Sequence, residues 1–173
     1  MKPFTRILCV LSMAVLALAS AAAQGQRPAP TTAQAIRAVF NDGNRKLLDM
    51  AKDFPADKYS FRLKPEMRTF GEVLVHIASG NVYAAKVGKG EQANWDELDP
   101  KKYPDKAAIV ALMEKSSADA KAALAAEPDE ALSKSLRPWL GVLEHSGEHY
   151  GLLVAYYRAN GMVPPESRPK PKK

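Results

Sequence analysis

The chain has 173 residues, 46% of them hydrophobic and 25% charged, with a formal net charge of +6, three histidines and one cysteine. That length suits one domain with a real core. The positive excess does not mark a nucleic-acid binder. It sits in Lys2 and Arg6 at one end and in Arg168, Lys170, Lys172 and Lys173 of the terminal "SRPKPKK", whereas a nucleic-acid reader carries its charge on a folded face.

Residues 1–23 read as a cleaved secretory signal. Lys2 and Arg6 make a basic start, Ile7 to Ala19 is almost wholly apolar, and Ser20 to Ala23 supplies small residues where an export peptidase cuts. The apolar run is shorter than the ~20 residues that span a bilayer, so no stable membrane anchor is expected. The mature chain is expected outside the cytoplasm, periplasmic or secreted, after cleavage near Ala23. Cys9 leaves with the signal, which excludes disulfides, thiolate ligands and cysteine nucleophiles from the mature protein. Residues 24–31 read as a linker, 32–165 as the folded domain, and 166–173 as a solvated basic tail rich in Pro and Lys.

Helical periodicity dominates the domain, with no sustained strand-type alternation. A first helix is predicted from Thr31 or Thr32 to about Asp53, with Ala35, Val39, Leu47, Met50 and Ala51 inward. Gly43, within "NDGN", is expected to bend or interrupt it, since Gly costs ~1 kcal/mol against Ala in a helix interior. Pro55 and Pro65 mark a long connection. Thr69 and Glu72 form a capping box that starts the second helix, which carries Phe70, Val73, Leu74, Ile77 and Asn81 inward and fades at Gly88 to Gly90. A loop containing Trp95 follows. The third helix is predicted from near Pro104 to Pro128, and the fourth from about Pro138 to Asn160-Gly161, where Gly suits the position past a helix end and Pro164-Pro165 blocks continuation. Four amphipathic helices without strands predict an all-α four-helix bundle.

The histidines carry the functional signal. Val142, His145, His149, Leu152, Leu153 and Tyr156 share one stripe of the fourth helix, so both imidazoles point where the apolar side chains point. Residues at i and i+4 lie ~5–6 Å apart at Cβ, close enough to converge on one ion. A shared metal also answers the cost of burying two adjacent imidazoles without partners. His76 lies on the flank of the second helix beside Val73, Gly80 and Ala84. His145-Ser146-Gly147-Glu148-His149 also matches the H-x-x-E-H zinc-protease pattern, but too little chain follows His149 to supply the third ligand of that scaffold. Three incidental histidines on a plain bundle remain the alternative.

"RTFGEVLVHIASGN" and "HSGEHYGLLVAYYRANGMVPP" together resemble the DinB/YfiT-like superfamily, over roughly Thr32 to Pro165. The resemblance implies a four-helix bundle with a divalent metal on His76, His145 and His149, and an activity such as metal-dependent hydrolysis or thiol S-transfer. Many relatives carry Arg-Gly-Gln directly after the last histidine, where this chain has Tyr150-Gly151-Leu152. Three nitrogen donors without a fourth protein ligand describe an open site suited to zinc, with nickel, iron or copper as alternatives. For proton transfer the candidates are Glu148, beside His149, and Tyr156, further along the histidine stripe. Trp95 and Trp139 are candidates to line a pocket. The expected partner is a small-molecule substrate or ligand, with a homodimer left open. A non-catalytic metal- or ligand-binding bundle is the alternative to an enzyme.

Overall fold

The computed structural model describes residues 28–170. The signal reading and the last residues of the tail lie outside them. The described residues form four long helices and one short one: α1 (Thr32–Asp53), α2 (Phe70–Val87), α3 (Lys106–Ala126), α4 (Asp129–Lys134) and α5 (Arg137–Ala159), with no strand among them.

The helix starts follow local chemistry. Thr31 and Gln34 form a reciprocal capping box at α1, Thr69 and Glu72 do the same at α2, and the Asp105 carboxylate accepts from the Ala108 amide at α3. Each arrangement satisfies amides that have no partner within the helix. Pro138 occupies the first turn of α5, where a missing N–H costs nothing. At the far end of α5, Gly161 takes φ +70°, and its amide donates to the Arg158 carbonyl.

Three expectations need correction. The first helix runs unbroken through Gly43; the propensity cost is small against the packing of a 22-residue helix. Its inner face near the start is Ala33, Ile36 and Phe40, while Ala35 is exposed and Val39 is 59% exposed. Phe40 decides this rotation, because its ring packs edge-on against Trp139 at 5.5 Å. The third correction is α4, a short helix between the predicted third and fourth helices that the four-helix reading did not include, which buries Leu132.

Around the bundle α1 packs on α3 and α5, and α2 packs on α3 and α5, so α1 and α2 face each other across the core. Asn81 Nδ2 on α2 donates to Asn44 Oδ1 on α1 across that diagonal, at 2.8 Å. α2 is the most enclosed element: Phe70 to Leu74 and Ile77 to Asn81 are almost all buried, as are Ala84 and Ala85. One part of the core is aromatic, with Tyr59, Tyr156 and Tyr157 gathered around Phe54 and Phe70, which stack on each other at 3.8 Å. Such pairs add about 0.5–1.5 kcal/mol each beyond burial. The other part centres on Trp139, Phe40, Leu124, Leu132 and small residues. Gly88 is required there, because a Cβ would lie 2.7 Å from the Trp139 ring.

The tail also departs from a purely solvated reading where it is described. Arg168 donates two hydrogen bonds to Asp53, at 2.8 and 2.5 Å, and Glu166 pairs with Arg45 at 2.7 Å.

Candidate metal centre

His76 on α2 falls between Val73 and Ile77, which belong to the aromatic part of the core, and Ala84, which belongs to the Trp139 part. On α5, His145 and His149 fall likewise between Val142 and Leu153. All three are partly buried, and one ring nitrogen from each lies within 4.8 Å of the others. Nε2 of His145 stands 3.0 Å from Nε2 of His76. Ring centroids are 4.7 Å apart for His76 and His145, 4.8 Å for His76 and His149, and 4.4 Å for His145 and His149. The tertiary fold therefore brings together the three histidines picked out from the sequence.

Burial is the first cause of their electrostatics. It pushes the His145 imidazole down to about 4, with the charges of His149, His76 and Arg68 acting in the same direction. His149 is lowered by burial and then by His76. Both rings are thus neutral near pH 7 and offer lone pairs, the form in which imidazole binds metals.

Among the described residues, three buried side-chain polar atoms lack a hydrogen-bond partner, and two of them are His145 Nδ1 and His149 Nδ1. Leaving such atoms unpaired costs about 1–3 kcal/mol each. Two ligand nitrogens on one tetrahedral zinc, each 2.0–2.1 Å from it, stand roughly 3.3 Å apart. The 3.0 Å spacing of His145 and His76 is close to that. The residues fit a divalent ion: three convergent nitrogen donors, no carboxylate among them, and room beside them.

That room lies on two sides. A pocket of ≈ 380 Å³ is lined by His76, Trp95, Gly141, Glu144, His145 and Glu148. A second, of ≈ 450 Å³, is lined by Glu66, Met67, Arg68, Val73, His149, Leu152 and Tyr156. Glu148 is exposed on the rim of the first. Tyr156 borders the second, but its hydroxyl donates to the Arg68 carbonyl and burial raises its pKa. Trp139 lies in the core, 1% exposed, with its indole N–H donated to Glu127. Trp95 instead edges against His145, with centroids 4.9 Å apart.

Sequence reasoning missed Glu97 and Arg68. Glu97 Oε1 lies 3.1 Å from His76 Nδ1 and 2.8 Å from Arg68 Nη2. Partial burial alone would raise the Glu97 carboxyl, but the Arg68 hydrogen bond and charge, with those of His76, hold it below the usual range. Nothing in the spacing of these residues signals the contact, since His76 and Glu97 are separated by the irregular loop after α2.

The sequence model described as DinB superfamily matches residues 40–157, well over half of the chain, and spans all three histidines. No curated protein gave a significant match. The chain belongs to the DinB superfamily.

Proposed function

We propose that this DinB superfamily chain is an exported metal-dependent enzyme, a hydrolase or transferase that acts on a small molecule at His76, His145 and His149, with zinc as the favoured ion. The observation that carries the reading is the convergence of one ring nitrogen from each of three partly buried histidines to within 4.8 Å of one another, with His145 Nε2 3.0 Å from His76 Nε2. A chain selected for stability alone gains nothing from that arrangement, whereas a bound cation uses it. An ion held there supplies Lewis-acid activation of a nucleophile near neutral pH.

The chain's own groups divide the remaining work. The ≈ 380 Å³ pocket beside His76 and His145 is where a small substrate fits, with the Trp95 ring as a wall. Glu148 on its rim is the group assigned to hold or pass a proton, because the Tyr156 hydroxyl is already committed to Arg68. Hydrolysis is favoured over thiol transfer, since reduced low-molecular-weight thiols belong mainly to the cytosol and the N-terminal signal directs the chain outside it.

A non-catalytic metal- or ligand-binding bundle is the second reading. The pocket beside His149 supports it, because its mixed lining of Glu66, Arg68, Met67, Val73 and Leu152 offers a ligand a place away from Glu148. The deciding experiment is elemental mass spectrometry on the chain from Gln24 to Lys173, purified without chelator. Near one equivalent of a transition metal, absent from His149→Ala, supports the centre. No uptake even with added zinc or nickel overturns it. Hydrolase and transferase substrate screens on the loaded wild type and Glu148→Gln then separate enzyme from binding module.

A further inference from the structure

The loop between α2 and α3 has no regular structure from residues 91 to 99, yet it is fastened to α2 at three levels. Trp95 lies flat on Tyr83, with centroids 5.1 Å apart and planes at 18°. It also fills the space over Gly80, where a Cβ would come within 2.6 Å of its ring. The Leu98 amide donates to Ser79 Oγ at 3.0 Å, and that hydroxyl donates to the Val75 carbonyl. Between these two anchors, Glu97 reaches His76 and Arg68 with a single carboxylate oxygen.

An ionised carboxylate only accepts hydrogen bonds, so His76 Nδ1 is the donor in this contact and carries the ring proton. The lone pair of a neutral His76 is then at Nε2, the atom that faces His145. We propose that Glu97 is the positioning residue of the metal centre: it fixes His76 as the Nδ1–H tautomer with Nε2 turned toward the ion, and Arg68 holds Glu97 in that place. The inference rests on the metal-binding reading of the three histidines. Metal-ligating imidazoles usually donate their second nitrogen to such an outer partner, and its loss typically costs 10–100-fold in metal affinity. Among the described residues, His145 Nδ1 and His149 Nδ1 have no equivalent partner. His76 is therefore the ligand candidate whose second nitrogen is held from outside, and through Glu97 the irregular loop becomes part of the site.

The test uses the chain from Gln24 to Lys173 as wild type, Glu97→Ala and Glu97→Gln. Three quantities are read: zinc affinity by competition with a chromophoric chelator, the His76 tautomer by ¹⁵N chemical shifts of the metal-free protein, and thermal unfolding. Glu97 is half exposed, so the fold should survive both changes. Glu97→Ala is expected to weaken zinc binding by about 10–100-fold and to move His76 away from the Nδ1–H form. Glu97→Gln keeps an accepting oxygen and should retain the tautomer and most of the affinity. Equal affinity in wild type and Glu97→Ala, or an unchanged His76 tautomer, overturns the assignment alone. A wild type that binds no zinc overturns the metal reading, and this assignment with it.

Discussion

Helix α5 contains two buried polar neighbourhoods that are treated in opposite ways. In its last turns Tyr156 and Tyr157 are fully buried and both hydroxyls are spoken for, Tyr156 by the Arg68 carbonyl and Tyr157 by the Met50 carbonyl at 2.9 Å. About two and three turns earlier, His149 and His145 each bury an Nδ1 with no partner. The first neighbourhood is what folding requires, since a buried polar group left unpaired costs about 1–3 kcal/mol. The second accepts that cost at two adjacent positions, and it does so where two pockets open beside the rings. Polarity in the aromatic core serves stability; polarity at the histidines is arranged so that three ring nitrogens could hold an ion.

The contrast can be broken most strongly from the aromatic side. Phe70 is fully buried and stacked on Phe54 at 3.8 Å, so Phe70→Ala is expected to lose about 3–5 kcal/mol in urea unfolding. A loss below about 1 kcal/mol would show that this region relaxes and is no rigid core. At the histidines the same class of truncation should behave differently. His149→Ala is expected to abolish stoichiometric zinc uptake while changing the metal-free unfolding free energy by less than about 1 kcal/mol, because it removes an unsatisfied nitrogen along with packing. Large destabilisation of the metal-free protein would show that the histidines serve the fold as the aromatic rings do.

Gly80→Ala acts at the boundary. Helix propensity favours Ala by about 1 kcal/mol, but the new methyl meets Trp95 at 2.6 Å. The expected result is a folded protein with altered Trp95 fluorescence and severalfold weaker zinc binding. Unaltered fluorescence would show that Trp95 is not seated over Gly80. The smallest effect lies at the tail. Arg168 holds the Asp53 carboxyl below its usual range, partial burial opposing and Tyr157 assisting. A depressed carboxyl contributes stability above its unfolded pKa of about 3.9, and that contribution is lost as pH falls through the lower folded value. Arg168→Ala should therefore slightly destabilise the protein at neutral pH and shrink the drop in melting temperature on acidification. Parallel pH profiles for the variant and wild type would remove this role.

The helices were legible because their signals are local. Thr69 with Glu72, Pro138, and Gly161 followed by Pro164-Pro165 set ends through contacts within a few residues, and the structure shows the corresponding caps and stops. The rotation of α1 was misread because Val39 and Phe40 are both apolar, and only Trp139, far along the chain, decides which turns inward. Glu97 was illegible for the same reason: its partners, His76 and Arg68, are reached through an irregular loop with no period to read.

By itself the sequence determined a single all-helical bundle, the approximate span of each long helix and the identity of three histidines, since periodicity, caps and residue chemistry act over a turn or two of chain. The tertiary structure alone decided that α2 and α5 pack side by side and bring those histidines to within 4.8 Å. It also decided that Glu97 and Trp95 close over them. Contacts between residues 21 to 73 positions apart depend on which helix faces meet, a property of the packed core that no local pattern encodes.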